Sequence, residues 1–334
     1  MLICNKYLAY AGIVFAVLSM TACSSDKNPV LDEKEILQHY VDSTVEMKLH
    51  QVSDRVYYVS GVAGMATDNE GFISNAGFVV TSEGVVVYDA LGSPSLAKKL
   101  IQKIRTVTDK AIKKVVVGHY HADHIYGLQV FKELGAEIIA PIGHEEYLLS
   151  PFAAERLEER RFSLEPWVNE QTKLISPDTV IAESQQFTLG DTTFVMSLLG
   201  SAHSQGDMTL YVENDKVLFS GDIIFEGRVP FLGNSNTKNW LHTLIKFETD
   251  DIVALIPGHG PHAKVPSEAI TLTRKYLAKV RQVMTNAVQE LQDFDTAFSQ
   301  ADWSEFADLP AYEAAHRRNA YQVFLSIEQE QLGQ

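Results

Sequence analysis

Cysteine is almost missing from this chain of 334 residues: Cys4 and Cys23, both near the start, are the only two. That count excludes a disulfide scaffold and a cysteine-rich zinc module. Positive charge is scarce as well, with 28 Lys and Arg against 43 Asp and Glu and a formal net charge of −15. A surface that acidic repels phosphate backbones, so nucleic acid is not an expected partner. No internal repeat of solenoid period and no low-complexity segment interrupts the chain. What is present is ordinary for a folded body: 46% hydrophobic and 21% charged residues, values that fit neither disorder nor a polytopic membrane protein. The length allows about two domains at roughly 150 residues each.

Residues 1–22 carry one positive charge at Lys6, an apolar run from Leu8 to Leu18, and small residues Thr21 and Ala22 before Cys23. The run falls short of the roughly 20 residues needed to span a bilayer, so it reads as a signal peptide. Leu18 to Cys23 resembles a bacterial lipoprotein signal. That resemblance implies a lipid on Cys23 and a protein anchored in the periplasm, with Ser24 pointing to the outer membrane. The polar stretch from Ser24 to about Pro29 is the expected tether, and residues 23–50 form the tether and N-terminal segment.

The body alternates strand and helix patterns. Arg55–Ser60, Ala76–Thr81 and Gly84–Asp89 have strand length and β-branched content, separated by turn residues. Pro94 to Val107 places Leu96, Leu100, Ile101 and Ile104 at helical spacing, and Lys114–Val117 is a short apolar run typical of a buried strand. Helix at Leu128–Leu134, strand at Ala136–Ala140 and helix at Pro151–Phe162 follow. A second block predicts strands at Thr192–Leu199, Met208–Val212, Lys216–Ser220 and Ile252–Ile256, with a helix over Lys238–Phe247. Residues 263–334 read as a helical extension.

Chemistry is concentrated where the apolar strands stop. His119-Tyr-His-Ala-Asp-His124 places three imidazoles and a carboxylate in six residues directly after a buried strand. Imidazole nitrogen and carboxylate oxygen suit zinc and iron. In an extended loop His119 and His121 face the same way and can serve one metal, while Asp123 and His124 turn toward a second. Three further candidates each end an apolar strand beside glycine: His203 in Gly200-Ser-Ala-His, Asp222 in Ser220-Gly-Asp, and His259 in Pro257-Gly-His-Gly. Glycine there lets the backbone approach a metal pair and take positive φ.

The succession HYHADH, GSAHSQGD, SGD and PGHG resembles the metallo-β-lactamase superfamily over residues 51–262. The resemblance implies an α/β fold, a four-layer αβ/βα sandwich of two facing mixed sheets with helices outside, followed by the helical extension. It also implies His119, His121 and His203 on one metal, Asp123, His124 and His259 on a second, and Asp222 bridging. Asp222 is similar to the bridging carboxylate of hydroxyacylglutathione hydrolases and lactonases, which points away from a strict β-lactamase. The segments Pro310-Ala-Tyr312 and His316-Arg-Arg-Asn-Ala-Tyr321 resemble SoxH-like or quinoprotein-associated periplasmic members.

Two divalent ions, Asp123, Asp222 and one hydroxide sum to a site charge of about +1, which favours a small anionic substrate. The expectation is a zinc enzyme with two metals per chain. Its metal-bound hydroxide would attack an ester, thioester, lactone or β-lactam, with Asp123 as the catalytic residue that orients hydroxide and relays its proton. The alternatives are an iron-dependent sulfur dioxygenase and a non-enzymatic accessory protein of a periplasmic oxidation system. Asp89, ending its strand, is either a partner of a metal-bound imidazole or a turn residue. Tyr120 and Ser204 read as packing or capping residues, His144 and His242 as structural, and His262 as a surface residue. Adjacent Arg317 and Arg318 cannot share a helix face, so at least one is solvated.

Overall fold

The structure is a computed structural model that describes residues 32–247 and 251–333. The expected signal peptide 1–22, Cys23 and the tether to Pro29 lie outside the described residues.

A short helix α1 (Glu33–Gln38), opened by a capping box between Asp32 and Glu35, precedes four antiparallel strands. These are β1 (Leu49–Gln51), β2 (Val56–Val59), β3 (Ala76–Val80) and β4 (Val85–Tyr88). The chain then switches to parallel crossovers. Helix α2 (Pro94–Arg105) starts on a Ser93 cap with proline in its first turn and leads to β5 (Ile112–Val116). Helices α3 (Ala122–Ile125) and α4 (Leu128–Glu133) lead to β6 (Glu137–Pro141), and α5 (His144–Leu148) and α6 (Pro151–Ser163) lead to β7 (Thr179–Ile181). Strands β1 to β7 lie in sequence order in one sheet, with β4 to β7 parallel.

The second sheet has the order β12-β11-β10-β9-β8. Its strands are β8 (Gln185–Leu189), β9 (Thr192–Gly200), β10 (Asp207–Val212), β11 (Val217–Gly221) and β12 (Ala254–Pro257). Helix α7 (Thr237–Leu244) makes the crossover from β11 to the parallel β12. The extension consists of α8 (Pro266–Gln289), α9 (Phe294–Gln300) and α10 (Tyr312–Leu332). Among the described residues no helix is long and apolar enough to cross a membrane.

Three apolar clusters make this a four-layer αβ/βα sandwich. Val85 and Val87 face α2 and α4, packing with Leu96, Leu100 and Phe131. Val86 and Tyr88, which alternate with them in sequence, face the second sheet and meet Phe194, Leu210 and Phe219. The outer face of the second sheet packs Leu218 and Leu255 on Trp240 and Leu277 of α7 and α8 and on Val323 of α10. Burial on both faces explains why these strands read as continuous apolar runs rather than alternating ones.

Predicted and observed elements differ where the apolar signal is thin. Strands β1 and β7 have three residues each, and the edge strand β8 buries none of its five residues fully, three of them being exposed. None of the three has the length or patterning that marks the central strands. The C-terminal region, expected to be helical to the end, breaks at residues 301–311, with Ala311 at φ +67°.

The two sheets meet closely at Gly77 of β3, where a Cβ would stand 2.1 Å from Phe219 Cε1 of β11. Phe219 also stacks on Tyr88, with ring centroids 5.3 Å apart. We expect Gly77→Ala to cost about 1–3 kcal/mol through overpacking and Phe219→Ala about 3–5 kcal/mol. In urea unfolding the double variant should cost clearly less than the sum, because the new methyl occupies space the ring vacates. Additive losses would show that the two positions do not share one packing contact.

Candidate metal centre

The candidate residues sit at the carboxyl ends of central strands from both sheets, the usual place for a site in an open α/β architecture. His119 follows β5 by a short loop, and His121 caps the single turn α3, which carries Asp123 and His124. His203 lies in the β9–β10 turn, Asp222 follows β11 and His259 follows β12. The structure brings all seven together. His119, His121 and His203 form one group of donors, Asp123, His124 and His259 a second, and His119, His124 and Asp222 a third that links them.

The distances test whether these groups suit metal ions. Two donors about 2.1 Å from one tetrahedral ion stand about 3.4 Å apart. His121 Nδ1 is 3.0 Å from His119 Nε2 and 3.1 Å from His203 Nε2. His259 Nε2 is 3.3 Å from Asp123 Oδ2, and His124 Nε2 is 3.5 Å from the same oxygen. Asp222 Oδ2 lies 3.5 Å from His203 Nε2 and 3.2 Å from His259 Nε2, so it reaches both groups. His124 Nε2 and Asp222 Oδ1 face each other at 3.5 Å and are buried without a hydrogen-bond partner, an expensive arrangement unless a cation or a proton on the imidazole satisfies them. The donor set and its spacing fit metal ions of the kind that imidazole and carboxylate hold, zinc among them.

The surroundings decide which atom each ligand offers. Asp89 sits in the left-handed region at φ +61°, 1% exposed. Its Oδ1 accepts the Gly118 N–H at 2.7 Å and its Oδ2 lies 2.9 Å from His124 Nδ1, which leaves Nε2 facing the site. Of the two roles open to Asp89, the partner of an imidazole is the one its contacts show. His259 Nδ1 is tied to the Ile73 carbonyl at 2.7 Å, again freeing Nε2. Asn75 braces the same loop, donating to the carbonyls of Pro257 at 2.7 Å and Gly260 at 2.8 Å. Gly200, Gly221 and Gly260 have positive φ, while Gly258 serves close approach: its Cβ would stand 1.9 Å from Asp222 Oδ1.

Burial lowers the basicity of His119 and His121 and pushes His203 down to about 3, so their lone pairs are free of protons at neutral pH. For His124 burial acts downward too, but Asp123, Asp222 and Asp89 outweigh it and raise the group to about 10. Asp222 is held well below the usual carboxylate range: burial opposes this, and the imidazoles of His259 and His124 overcome it. In the absence of metal, a proton on His124 balances the pocket's carboxylates.

Several residues at the site carried no signal in the sequence. Asp207, buried and pushed up to about 7 by that burial, accepts the N–H groups of Ala202 and Ser204 and shapes the His203 turn. Trp240 packs edge-on against His203 at 5.4 Å, and Phe225 lies parallel to His259 at 6.2 Å. Arg228 is 8% exposed and near enough to Asp222 and Asp123 for their charges to act on it. Its Nε has no hydrogen-bond partner among the described residues, and its guanidinium lies over the Phe231 ring at 5.5 Å. A lone Arg between glycine and valine is unremarkable in sequence; only the folded loop puts it here.

The remaining histidines and arginines lie as follows. His144 is buried and bonded to the Pro141 carbonyl, and Tyr120 donates to the Ile175 carbonyl. The Ser204 hydroxyl donates to Asp207 within the turn. His262, expected at the surface, is half-buried and lies 3.2 Å from the Tyr58 hydroxyl, whereas His242 is exposed rather than packed. Arg317 and Arg318 are both exposed, and Arg317 pairs with Asp295.

Comparison with known proteins bears on the same region. The family model described as the Metallo-beta-lactamase superfamily matches residues 69–259. A type 2 metallo-beta-lactamase of Elizabethkingia meningoseptica is 22% identical over 228 residues, 67% of this chain and 82% of its own length. An acyl-coenzyme A thioesterase, MBLAC2 of Gallus gallus, is 28% identical over 162 residues, 43% of this chain and 55% of its own. Among solved structures, a metallo-beta-lactamase from Pontibacter korlensis aligns with TM-score 0.55 and 18% identity over 70% of this chain and 99% of its own. The sec-alkylsulfatase Pisa1 from Pseudomonas sp. aligns with TM-score 0.64 and 17% identity, over 84% of this chain and 50% of its own.

Removing a direct donor and removing its support should be separable. We expect His121→Ala to lose about one bound metal per chain with the circular dichroism spectrum retained. Asp89→Asn should keep its metal content at saturation but weaken binding by roughly 10–100-fold in a competitive chelator titration. Unchanged metal content in His121→Ala would remove that residue from the centre.

Proposed function

This chain belongs to the metallo-β-lactamase superfamily of metal-dependent hydrolases, and from that premise we propose that it is a two-zinc hydrolase of small anionic esters or related acyl compounds. His119, His121 and His203 hold one ion in this reading, Asp123, His124 and His259 the other, and Asp222 joins them. Bound zinc supplies two things, a water acidified to near neutral pH and polarisation of the scissile bond. The observation that carries the proposal is the pairing of two donor groups at metal-ligand spacing with orphaned buried atoms between them.

Asp123 has 22% of its side chain open to solvent, against 6% for Asp222. It is therefore the carboxylate placed to accept the proton of the attacking water and pass it to the leaving group. The Ser74 hydroxyl donates to the Asp123 carbonyl and steadies that turn. Arg228, charged at any accessible pH and without an ion-pair or hydrogen-bond partner among the described residues, is assigned to an anionic group on the substrate. Carboxylates, thioester-linked acids and sulfate esters carry such a group, and relatives named as thioesterase and alkylsulfatase fit that range.

In the same proposal the enzyme is held in the cell envelope and belongs to a SoxH-like or quinoprotein-associated branch; the lipoprotein-like segment ending at Cys23 supports the first and the C-terminal motifs the second.

Elemental analysis of protein purified without added metal should find near two zinc per chain, with hydrolysis in a screen of esters, thioesters, lactones and β-lactams. About one iron per chain, with no hydrolysis, would replace this reading with sulfur oxidation. Arg228→Ala should raise KM about 10–100-fold for anionic substrates, as loss of a charged hydrogen bond does, and leave neutral ones nearly unchanged. Cys23→Ser should move the protein from the membrane fraction to the soluble periplasm; an unchanged membrane fraction would exclude a lipid anchor.

A further inference from the structure

The motif from His316 to Tyr321 takes no part in the metal centre, yet its two polar residues facing the core, His316 and Asn319, are each 2% exposed. A buried amide and a buried imidazole require partners, and those partners lead to the substrate side of the molecule. Asn319 Oδ1 accepts the Leu232 N–H at 3.0 Å, and Asn319 Nδ2 donates to the Pro230 carbonyl at 2.6 Å. The same amide therefore holds both backbone groups flanking Phe231. The backbone partners fix the orientation of the amide, because an N–H needs the oxygen and a carbonyl needs the nitrogen. The second Nδ2 hydrogen goes to the Tyr276 hydroxyl at 3.0 Å. The Tyr276 hydroxyl in turn is hydrogen-bonded with His316 Nδ1, also at 3.0 Å. The His316 ring packs against Trp303 and Phe298. A third tie, from the Val229 N–H to the Pro310 carbonyl at 3.0 Å, comes from the other segment noted in the sequence.

These ties bear on the backbone of residues 229–232, immediately after Arg228. Arg228 has no ion-pair or hydrogen-bond partner of its own among the described residues, only the ring of Phe231. Its guanidinium is therefore positioned by the path of the chain that carries it, and that path is set from α8 and α10. We propose that Asn319, supported by Tyr276 and His316, is a positioning residue that sets the Arg228 loop for capture of an anionic substrate group, so that the C-terminal extension forms part of substrate recognition. The inference rests on the reading of Arg228 as the anion-holding group.

Inorganic sulfate is the probe, titrated calorimetrically into the zinc-loaded full-length protein and into Arg228→Ala, Asn319→Ala, Tyr276→Phe and the Arg228→Ala/Asn319→Ala double variant. Zinc content and melting temperature are measured alongside. Asn319→Ala should weaken sulfate roughly 10-fold at unchanged zinc content, and the double variant should bind no more weakly than Arg228→Ala alone. Tyr276→Phe, which removes the hydroxyl's bonds to Asn319 and His316 and keeps the ring, should show a smaller loss of about fivefold and serves if Asn319→Ala does not fold. Wild-type sulfate affinity in Asn319→Ala or Tyr276→Phe, with only the melting temperature lowered, would make the motif purely structural. Losses that add in the double variant would likewise overturn the positioning role. Wild-type protein binding sulfate no better than Arg228→Ala would instead overturn the anion reading of Arg228, and this role with it.

Discussion

Two carboxylates and five imidazoles share one buried pocket, and the charge balance of that pocket is the constraint on which the surrounding structure depends. Burying Asp123 and Asp222 without compensation costs several kcal/mol per charge, so positive charge must reside there, as metal or as a proton on His124. The supporting bonds serve this balance. Asp89 and the Ile73 carbonyl turn Nδ1 of His124 and His259 outward, which leaves one nitrogen of each ring for the centre. Asp207 and Asn75 do the equivalent for backbone, fixing the turns that carry His203 and His259.

The architecture supplies the place for such a pocket. Parallel strands β4, β5, β11 and β12 end at the same edge of the sandwich, so each crossover delivers a loop to a common point. Contact between the sheets then sets how far apart those loops stand. Phe219 against Gly77 and Tyr88 is one such contact, and Tyr88 in turn donates to the Met208 carbonyl across the interface. A methyl group at Gly258 would collide with Asp222, so the approach of the β11 and β12 loops tolerates almost no added volume.

The C-terminal helices extend this logic from metal to substrate. They cover the second sheet with apolar residues such as Leu277 and Val323, and they carry a few buried polar groups aimed at the loop after Asp222. Thr273 on α8 accepts the Phe225 N–H at 3.0 Å, and Arg281 donates to the Thr237 hydroxyl at the start of α7. The segment between the centre and α7 is thus anchored along its length by the extension. Polar bonds of this kind are worth about 1 kcal/mol each in net stability; their larger effect is to specify one backbone path.

Much of this protein is legible in its sequence. The central strands announce themselves because burial on both faces demands unbroken apolar runs, as in Val85–Tyr88. The ligand motifs are visible because the chemistry needs several imidazoles and carboxylates at strand ends, and few other demands would place three histidines in six residues. What local pattern could not carry is any relation between distant segments. Arg228, Asp207, Asn75 and Asn319 are ordinary loop or helix residues in sequence, and each acquires its role from a partner on another element, 87 positions away for Asn319 and Leu232. Short edge strands such as β8 depend on pairing with β9 more than on their own composition. Local propensity therefore determined the central strands and helices, motif chemistry the set of metal-binding candidates, and the family those motifs resemble the sandwich, while only tertiary structure decided which atoms converge and which loop faces the substrate, because those depend on distances between chain segments that no local pattern encodes.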